Sequence, residues 1–145
     1  IWGSVYGVGT ACGIAVLCIN IWRLTQNQEL LNWAQSVGQS YLDEQLPVDQ
    51  IVVEEAKIPA ADPGLVLGLF SDLYDVTGES NWLEAGLDLA ADVCDVYFQG
   101  LLPLGASGIS WYESQLGSAF LIHGLARLAF LAQGNCPLAP NYTAR

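Results

Sequence analysis

The sequence predicts an all-α protein of helical hairpin repeats, and three observations predict it. The first is an internal repeat of about 52 residues. Ile21-Trp22-Arg23-Leu24-Thr25 lines up with Leu73-Tyr74-Asp75-Val76-Thr77, each closing an apolar run and each followed by a polar turn and a second helix-like segment. Leu30-Leu31, Val37 and Tyr41 then fall on Trp82-Leu83, Leu89 and Val93. A repeat of this length denotes stacked supersecondary units that bury their faces only against neighbours. The second observation is that the first segment of each unit is apolar almost all round, as in helices buried on every side. The third is scarcity of charge: 13% of residues are charged and 52% are hydrophobic, against roughly 25% charged in ordinary soluble domains.

The elements follow in order. Residues 7–24 are apolar or small, with Arg23 the only charge. Such a run could span a bilayer, but Ser4, Thr10 and Asn20, the nearby glycines and the matching segment of the second unit favour a buried inner helix near residues 8–24. Residues 26–28 form a turn, and Glu29 to about Glu44 forms its amphipathic partner, with Leu30, Leu31, Trp33, Val37 and Tyr41 available for burial and Pro47 beyond its end. Residues 48–63 read as a loop with a short strand at 50–53. Asp62-Pro63 reads as an N-cap followed by proline at the first helical position, opening a second inner helix over 63–76. After a turn at 77–80, with Ser80 as cap, a partner helix runs from Asn81 to about Phe98. There Leu83, Leu87, Ala90, Ala91 and Cys94 make an apolar stripe, with Glu84, Asp88, Asp92 and Asp95 facing solvent. A last inner helix, 113–132, lacks a second half, since Gly134 and two prolines follow. The domain is thus one partial array with hairpins near 8–44 and 63–98 and a final inner helix.

Charge excludes some functions. A net charge of −11 with four basic residues opposes nucleic-acid binding, which needs clustered Lys and Arg, and disfavours an anionic membrane surface. Cys12, Cys18, Cys94 and Cys136 form no CxxC pair and have no His at ligand spacing, so no metal or other cofactor is expected. Cys12, Cys18 and Cys94 read as small buried hydrophobes, and Cys136 lies in the terminal loop. Asn141-Tyr142-Thr143 matches a glycosylation sequon, weakly favouring an extracytoplasmic or secreted setting.

Two stretches carry a resemblance. Leu73-Tyr74-Asp75-Val76-Thr77-Gly78-Glu79-Ser80-Asn81-Trp82-Leu83-Glu84-Ala85 resembles hairpins of the six-hairpin glycosidase superfamily, and Trp111-Tyr112-Glu113-Ser114-Gln115-Leu116-Gly117-Ser118-Ala119 resembles the aromatic-acidic approach to an inner helix in the same proteins. The resemblance implies part of an (α/α)6 toroid, with a cleft formed by the loops that enter the inner helices, and a hydrolase, lyase or epimerase acting on sugars. Carried over by residue, it points to Glu113 and Asp62 as catalytic carboxylates and to Trp111, Tyr112, Trp2 and Tyr6 as sugar-contacting aromatics. Rings of this kind stack on sugar faces, and a carboxylate desolvated beside them suits general acid work. Glycosidases generally need a second carboxylate at a set separation.

From the residues alone, Glu113 equally suits a helix start. His123 and Arg127, four apart on an apolar helix, read as a structural polar pair in a core network or subunit contact. Asn20 and Asp72 occupy equivalent repeat positions and suggest shared hydrogen bonding. Two functions are therefore expected in competition: a carbohydrate-active domain taking an oligosaccharide, and a non-catalytic helical module that packs on a partner. In either case the expected neighbour is the remainder of a parent chain, another subunit or a further copy, because the open sides of the inner helices would be apolar.

Overall fold

The computed structural model describes residues 2, 10–46, 58–112 and 114–134. They form five α-helices: α1 (Thr10–Thr25), α2 (Gln28–Asp43), α3 (Ala61–Thr77), α4 (Ser80–Tyr97) and α5 (Ser118–Ala132), with a 3-10 turn at Ser114–Leu116 before the last. Among the described residues there is no strand, and one antiparallel bridge joins Pro59 to Ala106. The short strand expected at 50–53 lies outside the described residues.

The repeat extends to individual hydrogen bonds. α1 ends at Thr25 and α3 at Thr77; α2 begins at Gln28 and α4 at Ser80. Thr25 Oγ1 donates to the Ile21 carbonyl at 2.9 Å, and Thr77 Oγ1 to that of Leu73 at 2.7 Å. Each hydroxyl then accepts from the amide two residues on, Asn27 or Glu79. Between them Gln26 and Gly78 take the left-handed conformation, at φ 57° and 71°, and donate their amides to Trp22 and Tyr74. The chain reverses there because a left-handed residue ends the helix, while the threonine hydroxyl satisfies the exposed groups at the turn. Glycine adopts that geometry freely; Gln26 does so with its side chain donating to the Trp22 and Arg23 carbonyls.

α3 is the central helix. It packs on α1, α2, α4 and α5, whereas α2 lies mainly on α1. Buried residues run nearly unbroken from Ala61 to Leu73, as the all-round apolar sequence requires. α3 and α5 approach so closely that a side chain at Gly64 would collide with the Phe120 and Leu121 backbone, and one at Gly124 with the Gly64 carbonyl. Two glycines facing each other remove the Cβ atoms that would hold the backbones apart. On α4 a methyl at Gly86 would meet Leu128, and on α2 one at Gly38 would meet Leu73 and Trp82.

Several element details differ from the sequence reading. α4 buries Trp82, Gly86, Leu89, Val93, Val96 and Tyr97, so the stripe is rotated from the expected one: Leu87, Ala91 and Cys94 are exposed. Gly86 lies on this buried face, where its missing side chain leaves room for Leu128. Trp33 is likewise exposed. α3 starts at Ala61, so Asp62 and Pro63 lie inside its first turn and Ala60 stands at the cap without a side-chain bond. Glu79 rather than Ser80 precedes α4. The last helix begins at Ser118, because Gly117 is left-handed at φ 76° and a side chain there would strike Ala61. No helix of the described residues is long and apolar enough to cross a membrane.

Candidate functional site

The N-terminal ends of α3 and α5 lie together, as the Gly64 contacts with Phe120 and Leu121 require. Two loops are tied across this end. Ala60 donates to the Gly105 carbonyl, Ser107 to that of Ile58, and Gly105 to that of Trp111, at 2.9 to 3.1 Å. Ser107 Oγ accepts from the Ile58 amide, and Tyr97 donates its hydroxyl to the Ile58 carbonyl. Held in this way, the second loop presents Trp111 and Tyr112 side by side in solvent, 59% and 46% exposed. Glu113 and Tyr6 lie outside the described residues.

Asp62 is placed differently from the expectation. It is 2% exposed, and its charge bears on three buried groups, Cys12, Tyr41 and Tyr97. Burial pushes the Cys12 thiol up to about 12, against a hydrogen bond with Tyr41 and with Asp62 adding to the rise. Tyr41 and Tyr97 are raised in the same way, burial first. Asp62 is thus enclosed among these groups and is not in the solvent-exposed position of Trp111 and Tyr112. Trp2 also packs inward: its ring meets Tyr41 edge-on at 5.1 Å and its indole donates to the Glu44 carbonyl.

At the opposite end stands a charge network linking three helices. Arg23 of α1 donates to Asn20 Oδ1 at 3.0 Å and to Asp75 Oδ2 at 2.7 Å, and reaches Asp72 Oδ1 at 3.4 Å. Arg127 of α5 donates to the same Asp72 oxygen at 2.5 Å and lies 3.7 Å from Asp75. Asp72 and Arg127 are fully enclosed, and Arg23 and Asp75 carry the network to solvent. Burial raises the Asp72 carboxyl, opposed by Arg127 and then Arg23. Asn20 and Asp72 thus meet around one guanidinium, and Arg23 pairs with Asp75, its own repeat equivalent. Arg127 completes the network; His123 sits half-buried one turn before it. Sequence reasoning missed the link between Asp72 and Arg127, although two arginines inside otherwise apolar helices were a signal that buried acids must face them.

Two cavities lie elsewhere. One of about 560 Å³ between α2 and α4 is lined by Trp2, Tyr41, Phe70, Glu84, Asp88 and Asp92 among others; burial, then Asp88 and Asp95, raise the Asp92 carboxyl. The other, about 420 Å³, lies beside Gln35, Gln39 and Trp82. Neither is lined by Trp111 or Asp62. Among the described residues no group of His, Cys, Asp and Glu could hold a metal ion. No family model matches the chain, and no curated protein or solved structure matches it either.

Proposed function

We propose that the chain is an arc of an (α/α) toroid, carbohydrate-active in kind, that takes a neutral oligosaccharide at the N-terminal end of its inner helices. The observation that supports this is the pair of exposed rings, Trp111 and Tyr112, on a loop fixed by hydrogen bonds to its neighbour. Two adjacent aromatics left in water on an ordered support suit stacking on the apolar faces of sugars. The net charge of −11 favours neutral over acidic sugars. Hydrolase or lyase chemistry would fall to Glu113, next to the rings in sequence. Isothermal titration with a panel of neutral oligosaccharides tests the reading. Trp111→Ala should weaken binding roughly tenfold or more, equivalent to about 1.4 kcal/mol, while Trp33→Ala, at an exposed tryptophan on α2, leaves it unchanged. Heat from no sugar, or equal effects of the two substitutions, would sink it.

A second reading, a non-catalytic helical module that packs on a partner, is favoured by a separate observation: Ile14, Leu17, Ile21 and Leu24 form an exposed apolar stripe along α1. A blank sugar titration together with strong binding of a hydrophobic dye would select it.

A further inference from the structure

The groove of about 560 Å³ between α2 and α4 is lined by two unlike sets of side chains. Glu84, Asp88 and Asp92 stand four residues apart along α4, so their carboxylates share one face of that helix. Against them stand three rings, Trp2, Tyr41 of α2 and Phe70 of the central helix. Tyr41 and Phe70 are buried and Trp2 is half-buried. The Trp2 ring is held in place by its edge-on contact with Tyr41 at 5.1 Å and by its indole bond to the Glu44 carbonyl.

A row of acids on an outer helix is ordinarily a solvated face, and two observations set this one apart. The row borders a cavity, and the volume of that cavity falls within the roughly 300–1,000 Å³ of small-molecule sites. The row also lacks a counter-charge. Among the described residues none of the three carboxylates accepts a hydrogen bond or pairs with a cation, and the described arginines, Arg23 and Arg127, are held by Asp72 and Asp75. Burial, then Asp88 and Asp95, raise the Asp92 carboxyl, a repulsion that a positive charge in the groove would relieve. The acids do not group in a way that could hold a metal ion among the described residues. The chemistry that suits both linings at once is an organic cation: its N–H groups donate to carboxylates, and its charge and apolar body favour aromatic rings.

We propose that the groove takes a small amphipathic amine in its ammonium form, with the head against Glu84, Asp88 and Asp92 and the apolar body on Trp2, Tyr41 and Phe70. Charge complementarity selects a cation over a sugar, and the size of the cavity selects a small molecule over a protein segment. The proposal does not rest on sugar binding, because Trp111 and Tyr112 do not line the groove, and each can fail without the other.

The experiment is isothermal titration of the full chain with 4-phenylbutylamine, 4-phenylbutanol and 4-phenylbutanoate, which share one apolar body and differ in charge. The amine should bind with a dissociation constant of about 1 mM or tighter, and the alcohol roughly tenfold more weakly. The carboxylate should give no heat. Asp88→Asn combined with Asp92→Asn should weaken the amine roughly tenfold or more, and Trp2→Ala should weaken it too. Glu29→Gln, an exposed acid at the start of α2, and Trp111→Ala should leave it unchanged. Circular dichroism confirms that the variants fold. No heat from the amine at about 10 mM would overturn the proposal. Equal binding of the alcohol would do so as well, since the groove would then be apolar only. An effect of Glu29→Gln equal to that of the paired asparagines would reduce the attraction to net charge. Binding seen only after Lys57→Ala, or a basic peptide that binds where the amine does not, would give the groove another occupant and end the proposal.

Discussion

Removing the Asp72 carboxylate isolates the contribution of the charge network. Asp72→Ala leaves the Arg127 guanidinium, 3% exposed, without its nearest carboxylate. Losing one partner of a buried pair costs about 3–5 kcal/mol, because the remaining charge stays buried and uncompensated. Two features of this site set the value near the low end. Asp75 Oδ2 already lies 3.7 Å from Arg127, and Arg23, the other arginine facing Asp72, is 26% exposed and keeps its 2.7 Å bond to Asp75. About 3 kcal/mol is therefore expected from urea unfolding followed by circular dichroism, with an unchanged dependence on denaturant. The double variant Asp72→Leu with Arg127→Leu should recover most of that loss, since burial rather than attraction dominates the Asp72 carboxyl and an apolar replacement avoids its desolvation. Asp75→Asn, half-exposed, should cost less than about 1 kcal/mol. A loss below about 1 kcal/mol for Asp72→Ala, or a double variant worse than the single, would refute the reasoning.

Three further outcomes follow from named contacts. The Asp72 carboxyl is raised above its ordinary 3.8, so the native state holds that proton more tightly than the unfolded chain; stability conferred by this group falls as pH rises above 3.8 through its titration, and the slope should be absent in Asp72→Asn. Gly64→Ala and Gly124→Ala place a methyl against backbone and should each cost about 1–3 kcal/mol or more in urea unfolding, whereas Gly13→Ala, whose added methyl meets nothing within 4 Å, should be neutral or stabilising. A chromogenic disulfide reagent should label exposed Cys94 promptly, while buried Cys12, its thiol pushed up to about 12, reacts only on unfolding; prompt labelling of Cys12 would contradict its placement.

The repeat made the helices legible, because the same turn has to be written twice: Thr25 and Thr77 recur for the same hydroxyl bonds and Gln26 and Gly78 for the same left-handed reversal. Which face each helix buries was less legible. On α4 the leucines suggested one stripe, yet the repeat had already set Trp82, Leu89 and Val93 opposite Leu30, Val37 and Tyr41, and the buried face follows the repeat. A glycine such as Gly86 carries no hydrophobic signal, although it decides where Leu128 enters. Asp62 shows the same limit at the site. Asp-Pro is a sound helix-start signal, but Asp62 is 2% exposed, and the start of α3 is tied to the loop after α4 by backbone bonds such as Ala60 to Gly105 that no side chain announces.

The two ends of the inner helices therefore do different work. At one end Arg23, Asp72, Asp75 and Arg127 join α1, α3 and α5 through charges that tolerate little displacement, since Asp72 Oδ1 accepts from both arginines. At the other end the helices are tied by loop backbone, and the exposed rings belong to a loop rather than to a helix. Helices joined by charges at one end and carrying loops at the other is an arrangement in which a loop-borne surface can change without loss of the fold.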